Sequence, residues 1–185
     1  MSELGYRQIL TQPRDHRIAW WAALAITIHI VESALPSPIP GLKLGLANVV
    51  VIAVLMLYGW RDALWVALLR VLVGSLLIGT FLTPTFILSL SGAVASMLAL
   101  GIAYYFSRLL PNWALGALGY SVLAAQAHML GQFTAAYLLL IPHPALFKLL
   151  PVLMTAALVF GVISGMIATA MINNVEKRAH SGTSG

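Results

Sequence analysis

Apolar residues in this chain come in long unbroken stretches such as "IAWWAALAITIHIV" and "ANVVVIAVLML", interrupted at intervals by proline, glycine and charge. Stretches of about 17 to 25 apolar residues are long enough to cross a hydrocarbon layer about 30 Å thick as helices. The pattern predicts six of them, at about 18–35, 44–60, 62–81, 84–110, 113–141 and 145–172. The breaks have local causes. "PSPIPG" stops the first helix, "GWRD" offers Asp62 as an N-cap for the third, "TPT" opens the fourth, and "LLPN" and "IPHP" close the next two. The runs lack the polar alternation of a transmembrane barrel, so the fold class expected is all-α: a polytopic bundle of six transmembrane helices.

Composition sharpens this picture. The chain of 185 residues is 61% hydrophobic and 8% charged, with a mean hydropathy of +0.94, against about 25% charged residues in ordinary soluble domains. Cysteine is absent, which removes disulfides and thiolate metal sites. The opening "MSELGYRQILTQPRDHR" mixes acidic with basic residues and leads into a long apolar run, so it is not read as a cleavable signal. Residues 1–17 are expected to form a cytoplasmic tail, 18–174 the transmembrane domain, and 175–185 a second tail ending in a linker-like "SGTSG".

Charge sets the direction. If the helices alternate, Arg7, Arg14, Arg17, Arg61, Arg108, Lys177 and Arg178 share one side, against Lys43 and Lys148 on the other. The positive-inside rule then puts both termini in the cytoplasm and makes "ALPSPIPGLKLG" an external loop. The basic pI of about 9.9 follows from that cytoplasmic rim and calls for no nucleic-acid partner.

Against this apolar background the polar residues stand out. Arg70 lies far from both ends of the third run, and an arginine near the bilayer centre costs at least about 2.5 to 3.5 kcal/mol on insertion scales, so it should face protein or water. It would contact a ligand or tie helices together. His29 and Glu32, three apart, share a face near the external end of the first helix. Glu32 could pair with Arg70 or Lys43, bind a cation, hold a substrate amine, or merely reach water. On the fifth helix Ser121, Ala125, His128 and Gln132 fall on one stripe, with His128 close in depth to Arg70. Such a stripe lines a cavity or makes interhelical hydrogen bonds. Asn48 would bond the broken backbone before it or a ligand. Gly161 with Gly165, and Ala19 with Ala23, are four apart and permit close helix approach, more often for internal packing than for a partner.

The run "ESALPSPIPGLKLGLAN", followed in order by "LLRVLVGSLLIGTF", "SLSGAVAS" and "AQAHMLGQF", resembles the bacterial family known both as Gx transporter and as heptaprenyl diphosphate synthase component I. That family is in turn similar to the substrate-binding S components of energy-coupling factor transporters. The resemblance covers nearly all six runs and implies a pocket built from Glu32, Lys43, Asn48, Arg70, His128 and Gln132. It also implies a surface including Ala19 and Ala23 that meets a coupling membrane subunit with its ATPases. A catalytic prenyl diphosphate synthase needs clustered aspartates to hold magnesium, and this chain has only Asp15 and Asp62, far apart. A phosphate-binding GxxxxGK[ST] loop is missing from the sequence.

The resulting expectation is a non-enzymatic membrane subunit that captures a small polar or anionic molecule, with no cofactor and no metal. Arg70 would hold an anionic group, His128 and Gln132 would hydrogen-bond the rest, and His29, Glu32 and Lys43 would form the external entrance. The alternatives are a non-catalytic membrane subunit of a flavin or quinone redox assembly or of a prenyl diphosphate synthase system, and a scaffold whose polar residues only bond one another.

Overall fold

The computed structural model describes residues 12–34, 46–110 and 114–181, and their regular structure is entirely helical. Six long α-helices follow in order: α1 Pro13–Ala34, α2 Leu46–Tyr58, α3 Trp60–Ile78, α4 Pro84–Leu109, α5 Ala117–Ala135 and α6 Leu150–Ser181. One π-helical turn, Ala136–Leu140, prolongs α5, and a short 3₁₀ turn, Pro144–Lys148, precedes α6. Each predicted run corresponds to one helix.

Boundaries differ where local chemistry overrides hydropathy. Helix α1 starts at Pro13 rather than near residue 18, because Pro13 suits the first helical position and Asp15 accepts a hydrogen bond from the Gln12 backbone N–H at 2.9 Å. Residues 13–17 of the expected tail are therefore helical. At the other end α6 continues to Ser181, since neither glycine nor proline occurs between Gly165 and Gly182. Asp62 is not the N-cap of α3. That position belongs to Gly59, whose φ of 91° lets a single residue turn α2 into α3. Thr83 caps α4 as "TPT" suggests, its hydroxyl accepting from the Phe86 N–H, with Pro84 next.

Helix α2 is the centre of the fold. Residues Val49 through Leu55 are each at most 4% exposed, so every face of the helix is covered, the signature of a core helix. It packs on α1, α3, α5 and α6, while the outer helices make contacts in the order α1–α3–α4–α5–α6. Small residues let the outer helices close up. Gly161 and Gly165 of α6 lie against Val122, Ser121 and Leu118 of α5, leaving no room for a side chain at either position, so this glycine pair serves internal packing.

The contacts fix which helix ends lie together. Arg14 and Arg17 meet Asp62, Trp60 packs on Gly101, Tyr104 lies by Gly59, and Tyr120 bonds Ser107. The chain alternates direction through α3, α4, α5 and α6. Arg14, Arg17, Arg61, Arg108 and Lys177 therefore collect at one end, where the described chain both enters and leaves, while Lys148 sits at the other. Helices Pro84–Leu109 and Leu150–Lys177 are long and apolar enough to cross a membrane; α2 is apolar but shorter. Only 44% and 22% of their most apolar windows are buried, so both helices turn much of their apolar surface outward. Leu98, Ile102, Val159, Ile163 and Met166 face outward, whereas Glu32, Asp62 and Arg70 are buried.

Candidate functional site

At the basic end, Asp62 in the first turn of α3 receives two arginines from α1. Arg14 reaches one carboxylate oxygen at 2.6 Å and Arg17 the other at 3.0 Å. Arg17 also stacks over Tyr58 of α2, 4.3 Å from the ring centre. This clamp fastens α1 to α3 in parallel and in register. Twelve residues further along both helices, His29 lies against Gly74: a β-carbon at Gly74 would come within 3.0 Å of the imidazole Cδ2.

The predicted polar residues of α1 and α3 thereby meet in one seam. Arg70 is one turn before Gly74, and Glu32 nearly one turn beyond His29. Both are 7% exposed, and their charges interact. Among the described residues, the Arg70 Nε–H is buried with no hydrogen-bond partner. Asn48 belongs to the same level. It and Arg70 stand eleven residues either side of the Gly59 turn in the antiparallel α2–α3 pair, and Asn48 is half-buried.

His128 and Gln132 form a second group, on the far side of α4. A β-carbon at Gly92 would lie 2.8 Å from the His128 ring and 2.7 Å from Gln132 Cγ, so both side chains rest in the notch which that glycine leaves. Gly92 is the same distance in sequence from the α3–α4 turn as Arg70, which puts the two groups at one height. Val71, Phe86 and Ala93, with Leu90, fill the α3–α4 seam between them. The predicted α5 stripe divides between two neighbours. Its first half, Ser121 and Ala125, packs on the glycines of α6, and its second half packs on α4. The cause is that α5 is sandwiched, and each neighbour approaches it closely at a different height.

Lys43 lies outside the described residues. Ala19 and Ala23 are exposed on α1, beside Trp20, which is 68% exposed. Sequence reasoning missed Gly74 and Gly92, the notches that seat the two histidines, although both glycines stand in motifs it had quoted. It also missed two apolar depressions between α4 and α5. On α4 the residues Ser91, Ala95, Ala99 and Ala103 recur every four positions, and the depressions, of about 620 and 440 Å³, follow that line. None of the predicted polar residues lines either one.

If Gly92 serves to seat His128, Gly92→Ala should destabilise the protein by about 1 to 2 kcal/mol through overpacking. His128→Ala in the same chain should recover the part of that loss that the imidazole causes, while the contact with Gln132 Cγ at 2.7 Å remains. Thermal unfolding of the two variants in detergent, with His128→Ala alone as reference, measures the coupling.

The arrangement is that of an all-helical bundle with apolar outer faces and a charged seam shut inside it. The sequence profile of heptaprenyl diphosphate synthase component I matches residues 21–171, and the chain belongs to that family. No curated protein and no solved structure matches it.

Proposed function

We propose that this protein is a non-enzymatic membrane subunit that crosses the bilayer six times and captures a small polar molecule in the α1–α3 seam. The observation that carries this reading is the Arg70 Nε–H, buried without a partner beside a buried carboxylate. A buried polar group is normally hydrogen-bonded, and an ionisable residue inside a membrane bundle is by default part of a site. The outward-facing leucines, isoleucines and valines of α4 and α6 support immersion in lipid. The basic end then faces the cytoplasm of a bacterial inner membrane by the positive-inside rule, and the Glu32 end of the seam lies toward the outside. Energy for release would come from a separate coupling subunit with ATPases, for which the exposed Ala19–Ala23 face is the contact.

The family description favours a second reading, a membrane component of a prenyl diphosphate synthase system. Here too the chain would be non-catalytic, since Asp62 is occupied by two arginines. The apolar depressions between α4 and α5 would suit isoprenoid units.

Affinity purification from native membranes in mild detergent, followed by mass spectrometry, separates the two. The first reading expects a coupling membrane protein with ATPases, and substrate uptake reduced at least about tenfold by Arg70→Ala, the effect of losing one charged hydrogen bond. Recovery of a prenyltransferase without any ATPase would reject it in favour of the second.

A further inference from the structure

We propose that the molecule held in the α1–α3 seam is a small zwitterion, with its oxyanion on Arg70 and its cationic group on Glu32. This rests on the capture reading above and names its substrate class. The argument is one of charge balance. Among the described residues, the seam contributes one guanidinium and one carboxylate, both more than nine-tenths buried, together with the imidazole of His29 packed on Gly74.

Buried charges persist only when compensated. A guanidinium offers donors on its edge in a planar fork suited to an oxyanion, and Nε–H is one prong of that fork. Among the described residues that prong has no acceptor. An oxyanion arriving alone would satisfy it but would leave the seam with a net negative charge beside Glu32. A diphosphate would bring several negative charges against a single arginine. A neutral apolar molecule would leave the Nε–H unsatisfied. Arg70 and Glu32 already offset one another in charge, and a zwitterion supplies the acceptor that Nε–H lacks while adding no net charge to a low-dielectric interior. Glu32 makes an interaction of its own, but a carboxylate has about four acceptor positions and can take an ammonium as well. The geometry separates the two charges along the seam, since Glu32 lies beyond His29 while Arg70 lies before Gly74. The molecule's own acid and base groups would lie along the helix axes.

The test uses the full chain in lipid nanodiscs, with a filtered small-molecule extract of the producing cells as the probe. After incubation and gel filtration, retained compounds are released with acid. They are then identified by mass spectrometry and by electrophoretic mobility at neutral pH. The expected result is a retained compound bearing both an acidic and a basic group, with no net mobility. Arg70→Gln and Glu32→Gln should each lower its retention about ten- to a hundredfold, the range for one charged hydrogen bond. The wild-type result decides the class even if either variant fails to fold. A retained mono- or polyanion that is lost in Arg70→Gln but indifferent to Glu32→Gln would overturn the zwitterion and leave the capture reading standing. Retention of no small molecule by the wild-type protein would overturn both.

Discussion

Gly131→Val is expected to cost about 3 kcal/mol or more and to lower the thermal midpoint markedly, because no side chain fits where α4 and α5 touch. A β-carbon on Gly131 would lie 2.6 Å from the Ala95 β-carbon, 2.7 Å from the Ser91 carbonyl oxygen and 3.2 Å from the Gly92 α-carbon. Two of these three obstacles are backbone, so no side-chain rotation relieves the clash; the helices must separate. Overpacking of a well-filled core costs typically about 1 to 3 kcal/mol and occasionally more, and a branched side chain facing backbone belongs at the upper end. Against a total stability of about 5 to 15 kcal/mol that loss is large. Separation of α4 from α5 would also lift His128 and Gln132 off Gly92. Gly116→Ala is the matched control, since its added carbon meets nothing within 4 Å and its φ of −79° suits any residue. Yield of monodisperse protein and its thermal midpoint in detergent are the measurements. Equal behaviour of the two variants would show that α4 and α5 do not pack this closely.

Asp62→Ala is expected to cost about 2 to 3 kcal/mol and to loosen α1 from α3. Removing one member of a fully buried ion pair costs about 3 to 5 kcal/mol. The Asp62 side chain is only 5% exposed, but those of Arg14 and Arg17 are 38% and 40% exposed, so water screens part of the interaction and the lower figure applies. The loss should appear as a lower thermal midpoint. It should also appear as faster hydrogen exchange in the first turns of α1, while α5 and α6, which the clamp does not touch, keep their protection. Asp62→Glu should recover part of the loss by keeping the charge. Uniform loosening of all helices would argue that the clamp holds the whole bundle rather than the α1–α3 pair.

Six helices were legible in the sequence because each apolar run is long and each break carries a local stop signal, as at Thr83–Pro84 and at the prolines near residues 142 and 144. The segregation of arginines to one end was also legible, since direction follows from counting alternations. Capping was less so. A reading based on residue preference takes Asp62 for a cap, whereas the backbone turns at Gly59 and leaves Asp62 free to bind arginines from 45 and 48 positions earlier.

The sequence by itself determined that this chain is all-helical and that Arg70 is costly to bury. Those facts are local, because they depend on what each residue is and on its spacing to its neighbours. Only the tertiary structure decided how the residues group. It placed His29 on Gly74 and Arg70 in reach of Glu32, sent His128 and Gln132 to Gly92 on the other side of an apolar wall, and made α2 the buried centre. Grouping depends on which helices touch and at what height. That is set by the sites where glycine allows backbones to approach, at contacts between residues far apart along the chain, which no run of adjacent residues encodes.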